Sequence, residues 1–465
     1  SLAFDRLCRY NRKQKKNAHP AGQGPTGRCL LCKNGCFQKG NPMFDILKST
    51  AEYKKLKSHL AVKGPAALFG LPPAGRAQML ALLASESRRP LLAVTAGEAE
   101  ATRLAADLNA FGLPAAVFPP RDFLLRPIEG AGREYEYRRL AVLGDLVGER
   151  LSAVCVPAEA LLQYTMPKEE FCRNTLTLKP GLELPLTKLE ERLFDAGYHR
   201  RGQVEGPGQF SVRGGIVDIW PPEAKSPARC EYWGDEIDTL ATFDVLSQRR
   251  DGDLEKLHIS PAREVLFGSA SDTAAALRSA LAKEKGRRAA VMEKAMEADL
   301  AQLDAGLVPE ALDKYMGVRY EKPATLLDYF DEPILALEEP SAIREAQKAT
   351  AFRRGEELKS LYEQGVLCPG LDVLYEDMPF LLAAAQKNSS LCCENFARTL
   401  PGLELKEIIN APAHARPPFS GEVASLAEDL ESLTQQGYAV DVLAGTERAA
   451  AALAKDLVRK GFRAG

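Results

Sequence analysis

Between residues 46 and 157 the chain alternates two kinds of apolar pattern. Short continuous runs at 66–70, 90–96 (PLLAVTA), 115–120 (AAVFPP) and 152–157 (SAVCVP) read as buried strands. Between them, at 46–60, 76–85, 98–111 and 134–147, apolar positions recur at helical spacing. A strand buried on both faces has no polar alternation, so this succession predicts a parallel sheet covered by helices on both sides.

After residue 167 the period changes. The segment TLTLKPGLEL (175–184) alternates at period two, and GQFSVRGGIVDIWPP (208–222) and ARCEYWGDEIDTLATFD (228–244) read as strands joined by Gly and Pro turns. This predicts a small inserted α+β domain. From 254 helical spacing returns, PILALEEPS (333–341) supplies another buried strand ending in acids, 342–364 reads as a charged helical connector, and 438–462 as a further strand and helix. The expected division is an N-terminal extension (1–42, expected to be disordered), a first α/β segment (43–166), the insertion (167–252), a second α/β segment (253–345), a linker (346–370) and a further, incomplete α/β domain (371–465).

Composition narrows the class. A chain of 465 residues exceeds one hydrophobic core, and about three domains is the expectation. With 45% hydrophobic and 27% charged residues it reads as globular, and a formal charge of -2 gives no bulk electrostatic grip on nucleic acid. No apolar run approaches the roughly 18 residues of a membrane span, so no membrane partner is expected and the cytoplasm is the expected compartment. Ten scattered cysteines fit reduced thiols. Cys29, Cys32 and Cys36 have a metal-ligand spacing, but the second pair that would complete a zinc site is missing, so no metal is expected. With only 5 histidines, and no His or Ser accompanying the acids Asp235, Glu236 and Asp238 of the 234–238 turn, no catalytic residue is assigned.

One stretch nearly spells a phosphate-binding loop. Gly70 and Gly75 stand five apart after a buried strand, where a G-x-x-x-x-G-K-[ST] loop belongs, yet the last two places hold Arg76 and Ala77. Ala77 has no oxygen for Mg²⁺, and Arg76 is a planar fork at a point-charge site. Pro72 and Pro73 remove two N–H donors from the cradle. Hydrolysis from this loop is not expected.

The block 198–250 resembles domain 2 of the excision-repair protein UvrB, and more closely the corresponding module of transcription-repair coupling factors (Mfd). The motifs that carry the resemblance are G-x-F-x-V-R-G-G (208–215), D-I-W-P-P (218–222), G-D-E-I-D (234–238) and F-D-x-x-x-Q-R (243–249). It extends more weakly from Met43 to the end of the chain, and implies UvrB-like domains 1a, 2 and 1b at 43–166, 167–252 and 253–345. The resemblance also implies that the loop from Gly70 to Ala77 is a relic of UvrB's nucleotide site. UvrB's acidic motif D-E-S-H appears here as Glu338, Glu339, Pro340 and Ser341. Between 121 and 137 the chain is too short and too charged for UvrB's DNA-prying hairpin.

In these families domain 2 binds UvrA, and the match carries that role to Arg200 and Arg213, with Gln209, Ser211 and Val217 beside them. Ser211 stands where UvrB has a second Arg. If 209–220 is one strand, Gln209, Ser211, Arg213 and Gly215 share a face. An Arg213 that merely pairs with Asp218 or Glu231 is the competing reading. The resemblance further implies a longer protein, whose later domains bind RNA polymerase and double-stranded DNA and use ATP and Mg as a translocase; no cofactor is expected for this chain itself. The alternative is a divergent UvrB-type protein that binds ATP and DNA with Arg76 in place of Lys and Glu338 on the metal; a zinc-dependent nucleic-acid adaptor built on the three cysteines is a third.

Overall fold

The computed structural model describes residues 42–128, 132–396, 401–413, 423–438, 440, 442 and 447–462. Cys29, Cys32 and Cys36 and the expected 1–42 extension, apart from Pro42, lie outside the described residues.

The chain opens with strands β1 (Gly64–Phe69), β2 (Leu91–Thr95), β3 (Ala115–Val117) and β4 (Ala153–Pro157). Helices Pro73–Ser87, Glu98–Ala110 and Glu134–Val147 make the crossovers between them. The insertion supplies β5 (Leu176–Leu178), β6 (His199–Arg200), β7 (Gln209–Arg213), β8 (Ile216–Trp220), β9 (Ala228–Trp233), β10 (Glu236–Phe243), β11 (Arg250–Asp253) and β12 (Leu257–Ile259). The chain then returns with β13 (Ile334–Glu338), β14 (Ser389–Glu394) and β15 (Glu407–Asn410).

The central sheet runs β15-β1-β14-β13-β2-β4-β3, parallel at every pairing. Period-two alternation divides its side chains between two cores. Leu92, Val94, Val154, Val156, Leu335 and Leu337 enter one; Leu91, Ala93, Ala153, Cys155, Ile334 and Ala336 enter the other. That is why these strands show no polar alternation, and the α/β class with an inserted α+β domain holds.

Three boundaries move. Segment 371–465 is not wholly a further domain, because β14 is hydrogen-bonded between β1 and β13 and β15 lies on the outer side of β1. Among the described residues, helices Val423–Gln435 and Glu447–Arg459, with Val440 and Val442 between them, form a cluster of their own around Leu426, Leu430, Leu457 and Phe462. The linker 346–370 is largely helix Pro340–Glu363 and carries core residues Leu361 and Leu367; it forms part of the crossover that two parallel strands, β13 and β14, require. The insertion begins nearer 176 and ends later than 252, since Phe171 belongs to the central core whereas β12 pairs with β5 and buries Leu257 and Ile259 with the insertion.

In the insertion, a six-stranded sheet of order β11-β10-β9-β8-β7-β6 packs one face against helix Leu186–Asp195 through Leu189, Leu193, Phe210, Val217 and Ile219. A buried charge network ties its end to the central body. Arg139, with no exposed surface, donates to both oxygens of Glu264 at 2.7 and 3.2 Å, and Arg121 grips Asp313 bidentately at 2.7 and 3.2 Å while approaching Glu264 at 3.2 Å. Glu136 accepts the Glu264 backbone N–H at 2.9 Å. No helix among the described residues is long and apolar enough to cross a membrane.

Candidate functional site

Two places follow from the sequence, and the first lies at the C-terminal end of the central strands, where ligands bind in open α/β folds. Leaving β1, the chain turns at Gly70 with φ +89°, and a Cβ there would lie 2.9 Å from the carbonyl oxygen of Ala411. Only glycine fits. Helix Pro73–Ser87 then begins without a side-chain cap, placing Gly75, Arg76 and the fully buried Ala77 in its first turns.

The structure brings the two halves of the motif together. Arg76 is 3% exposed; its Nη1 donates to Glu339 Oε1 at 2.7 Å and to the carbonyl of Cys393 at 3.3 Å, and its Nε lies 3.2 Å from Glu338 Oε2. The guanidinium thus meets two carboxylates where a phosphate loop would present a cation to its ligand. Burial pushes the Glu338 carboxyl up to about 7, with Arg76 opposing the shift. Glu338 Oε1 is buried without a hydrogen-bond partner, and Glu339 caps the next helix in a left-handed conformation, φ +55°. Beside this cluster, Glu394 accepts from the backbone N–H and hydroxyl of Ser341 at 3.1 and 2.7 Å. A cavity of about 360 Å³ opens nearby between Leu337, Ser341, Arg344 and Leu381, but its cations are engaged: Arg344 with the carbonyl of Pro401 and Lys348 with Glu345. Among the described residues no group of three His, Cys, Asp or Glu is placed to hold a metal.

The second place is the insertion. The run 209–220 is not one strand but the β7–β8 hairpin, closed by Gly214 and Gly215 between the paired Arg213 and Ile216. Gly214 at φ +61° supplies the positive φ that the first central residue of a II′ turn needs. The hairpin refolds the expected contact set. Gln209, Ser211 and Arg213 share the outer face with Ile216, Asp218 and Trp220, whereas Gly215 is in the turn. Val217, grouped with the contacts from sequence, pairs with Val212 on the core face and has no exposed surface, so it supports the hairpin from within.

The two arginines separate. Arg200 on β6 is in register with Phe210, which puts it at the edge of the helix-covered face, about half exposed and 3.0 Å from Glu190. Arg213, equally exposed, stands on the outer face and donates Nη2 to Asp218 Oδ2 at 2.6 Å, the pairing that the competing reading anticipates. Asp218 is 1% exposed, and Ser211 beside it is buried with its hydroxyl unpartnered. Beyond them, Trp233 at the β9–β10 turn and Leu246 are 83% and 95% exposed.

Sequence reasoning missed what supports Asp218. Arg229 on β9 donates Nε to its Oδ1 at 2.6 Å and Nη2 to its Oδ2 at 2.9 Å, and is held in turn by Gln248. The signal was present in F-D-x-x-x-Q-R, whose turn is closed by bonds from Gln248 N–H to Asp244 O at 2.8 Å and from Asp244 N–H to Arg249 O at 3.0 Å. At the β6 edge of the sheet, in register with Gln209, His199 Nε2 accepts from Arg263 Nη2 at 2.5 Å; burial and the neighbouring Arg263 and Arg133 push its pKa down to about 4.

Comparison with known proteins bears on this insertion first. Residues 176–265 match the family described as UvrB interaction domain. Over 383 residues, 80% of this chain, the sequence is 27% identical to the transcription-repair-coupling factor of Bacillus subtilis (strain 168), and covers 32% of that protein. Over 390 residues, 81% of the chain, it is 24% identical to the protein of that name from Staphylococcus aureus (strain MRSA252), covering 33% of it. The chain spans about a third of the length of the curated relatives it matches. It carries a UvrB-like module similar to that of coupling factors, and the matched residues include β12, as the fold requires.

Proposed function

We propose that this chain is the recruitment module of a transcription-repair coupling factor and binds UvrA through the exposed face of the inserted domain. The observation that carries the reading is Arg213: a half-exposed guanidinium on a sheet face inside the matched interaction domain, anchored at one corner on a buried carboxylate. A planar fork suits a partner carboxylate, and arginines on a rigid face beside exposed aromatics are the usual anchors of interfaces. Trp233 supplies the aromatic.

The central sheet is read as scaffold. The internal ion cluster of Arg76, Glu338 and Glu339 supports a loop that no longer takes nucleotide, because a phosphate there would have to displace two carboxylates from the one cation. ATP and Mg²⁺, RNA polymerase and double-stranded DNA are then the business of later domains of a longer cytoplasmic protein, a DNA translocase that displaces stalled polymerase. The test is UvrA affinity of residues 43–465, with Arg213→Ala and Arg200→Ala and ATPase activity on the same samples. A loss of about 2 kcal/mol or more for Arg213→Ala, without ATP turnover, is the expected result. ATP turnover by the wild type, or binding indifferent to both arginines, would overturn the reading.

A further inference from the structure

Arg213 and Arg229 meet on one carboxylate, but they use it differently. Arg229 takes both oxygens of Asp218, its Nη2 also donates to Gln248 Oε1 at 3.0 Å, its Nη1 donates to the Gln248 carbonyl at 3.4 Å, and its plane lies 4.4 Å from the centre of the Phe243 ring. Its whole fork is therefore engaged within the domain. Arg213 spends only Nη2 on Asp218, which leaves Nε and Nη1 on an exposed edge. Asp218 itself is buried and would be costly without a cation.

We propose that Arg229 and Gln248 are positioning residues for Arg213. They touch no partner; they immobilise Asp218, and Asp218 fixes one corner of Arg213 so that its free edge meets a carboxylate of the partner in a set direction. Gln248 is itself held for this purpose at φ +58°, a conformation that non-glycine residues keep only where their surroundings impose it, here through its N–H to Asp244 O and its Nε2 to Val245 O at 2.8 Å. A fork whose rotamer is set before encounter loses less freedom on binding than a mobile one. The inference rests on reading this face as the UvrA-contacting surface, and adds two residues and a direction of action to it.

The experiment measures UvrA affinity of the full chain and of R213A, R229K, Q248A and the double variant R213A/R229K, with thermal unfolding of each. R229K keeps a charge on Asp218 but not the fork, and Q248A removes the side-chain hold on Arg229 Nη2, leaving the main-chain carbonyl and the Asp218 pair in place. Expected are losses of about tenfold for R229K and a smaller loss for Q248A, with the double variant no weaker than R213A alone, because residues acting through one another do not add. If R213A weakens binding while R229K and Q248A bind as the wild type does, the positioning role is wrong and the surface stands. If the losses multiply in the double variant, Arg229 meets the partner directly and the inference falls. If R213A itself leaves binding unchanged, the surface has been misplaced and the inference falls with it.

Discussion

Arg76 Nη1 lies 2.7 Å from Glu339 Oε1 across 263 residues of chain. The contact joins the first turn of the helix that follows β1 to the end of β13, with β14 between the two strands. In a nucleotide-binding relative of this fold, cation and acid would meet through phosphate and metal; here they meet side chain to side chain. The cluster therefore does structurally what a ligand would otherwise do, clamping two strand ends that have no direct pairing.

That clamp should be visible in stability. Replacing Arg76 by Met strands Glu338 and Glu339, the first of them only 12% exposed, and the expected cost is about 3 kcal/mol, the lower end for buried pairs broken on one side. Adding Glu338→Leu to Arg76→Met should return much of it. Urea unfolding of the three proteins decides the matter; a single variant as stable as the wild type would mean that the cluster contributes nothing.

A filled site should also be indifferent to nucleotide. A ligand that binds only the folded state raises stability by RT ln(1 + [L]/Kd), about 2.7 kcal/mol at a hundredfold excess over Kd. Millimolar ATP with Mg²⁺ should leave the melting temperature of residues 43–465 where it was. A reproducible rise, abolished by Arg76→Ala, would restore the loop as a binding site.

How far the sequence reaches depends on the kind of contact. The parallel sheet was legible because β1, β2, β4 and β13 are short apolar runs without polar alternation, as burial on both faces requires. The place of β14 was not: the segment SSLCCE was assigned no element from sequence, and which sheet it enters is decided by packing against β1 and β13, far away in the chain. The Gly214–Gly215 turn was written in the sequence and still passed as the middle of a strand, which misassigned Gly215 and Val217. Arg139 shows the hardest case. On helix Glu134–Val147 it looks like part of a solvated charged face, and only the return of Glu264 from beyond the insertion turns it inward.

Two partly buried titratable groups give opposite pH dependences. His199 stays neutral in the folded chain down to about 4, so between its ordinary 6.5 and that value the unfolded chain takes up a proton that the native state refuses, and stability falls as pH drops through this window. Glu338, raised from 4.5 to about 7, holds its proton longer in the folded chain; its contribution is present at low pH and is lost as pH rises through about 7. Urea midpoints from pH 4 to 8 should therefore fall less steeply on the acid side in His199→Gln, which keeps an acceptor for Arg263, and decline less between pH 5 and 7 in Glu338→Gln. Unchanged profiles in both would place these groups in water.

The network around Glu264 makes the sharpest separation between holding the fold and binding a partner. Its carboxylate has no exposed surface, accepts from Arg139 at both oxygens and lies 3.2 Å from Arg121 Nε. Glu264→Ala leaves Arg139 buried without a counter-ion, since its remaining partners are the Gln163 side chain and the carbonyls of Pro119 and Tyr164. The expected cost is about 3–5 kcal/mol. The insertion's own core, built on Leu189, Phe210, Val217, Ile219 and Cys230, does not depend on Glu264. At a temperature where the variant remains folded, its UvrA affinity should stay within about twofold of wild type, as additivity between separate sites requires. Loss of affinity in step with loss of stability would show instead that the body must hold the inserted domain in place for the β7–β8 face to work.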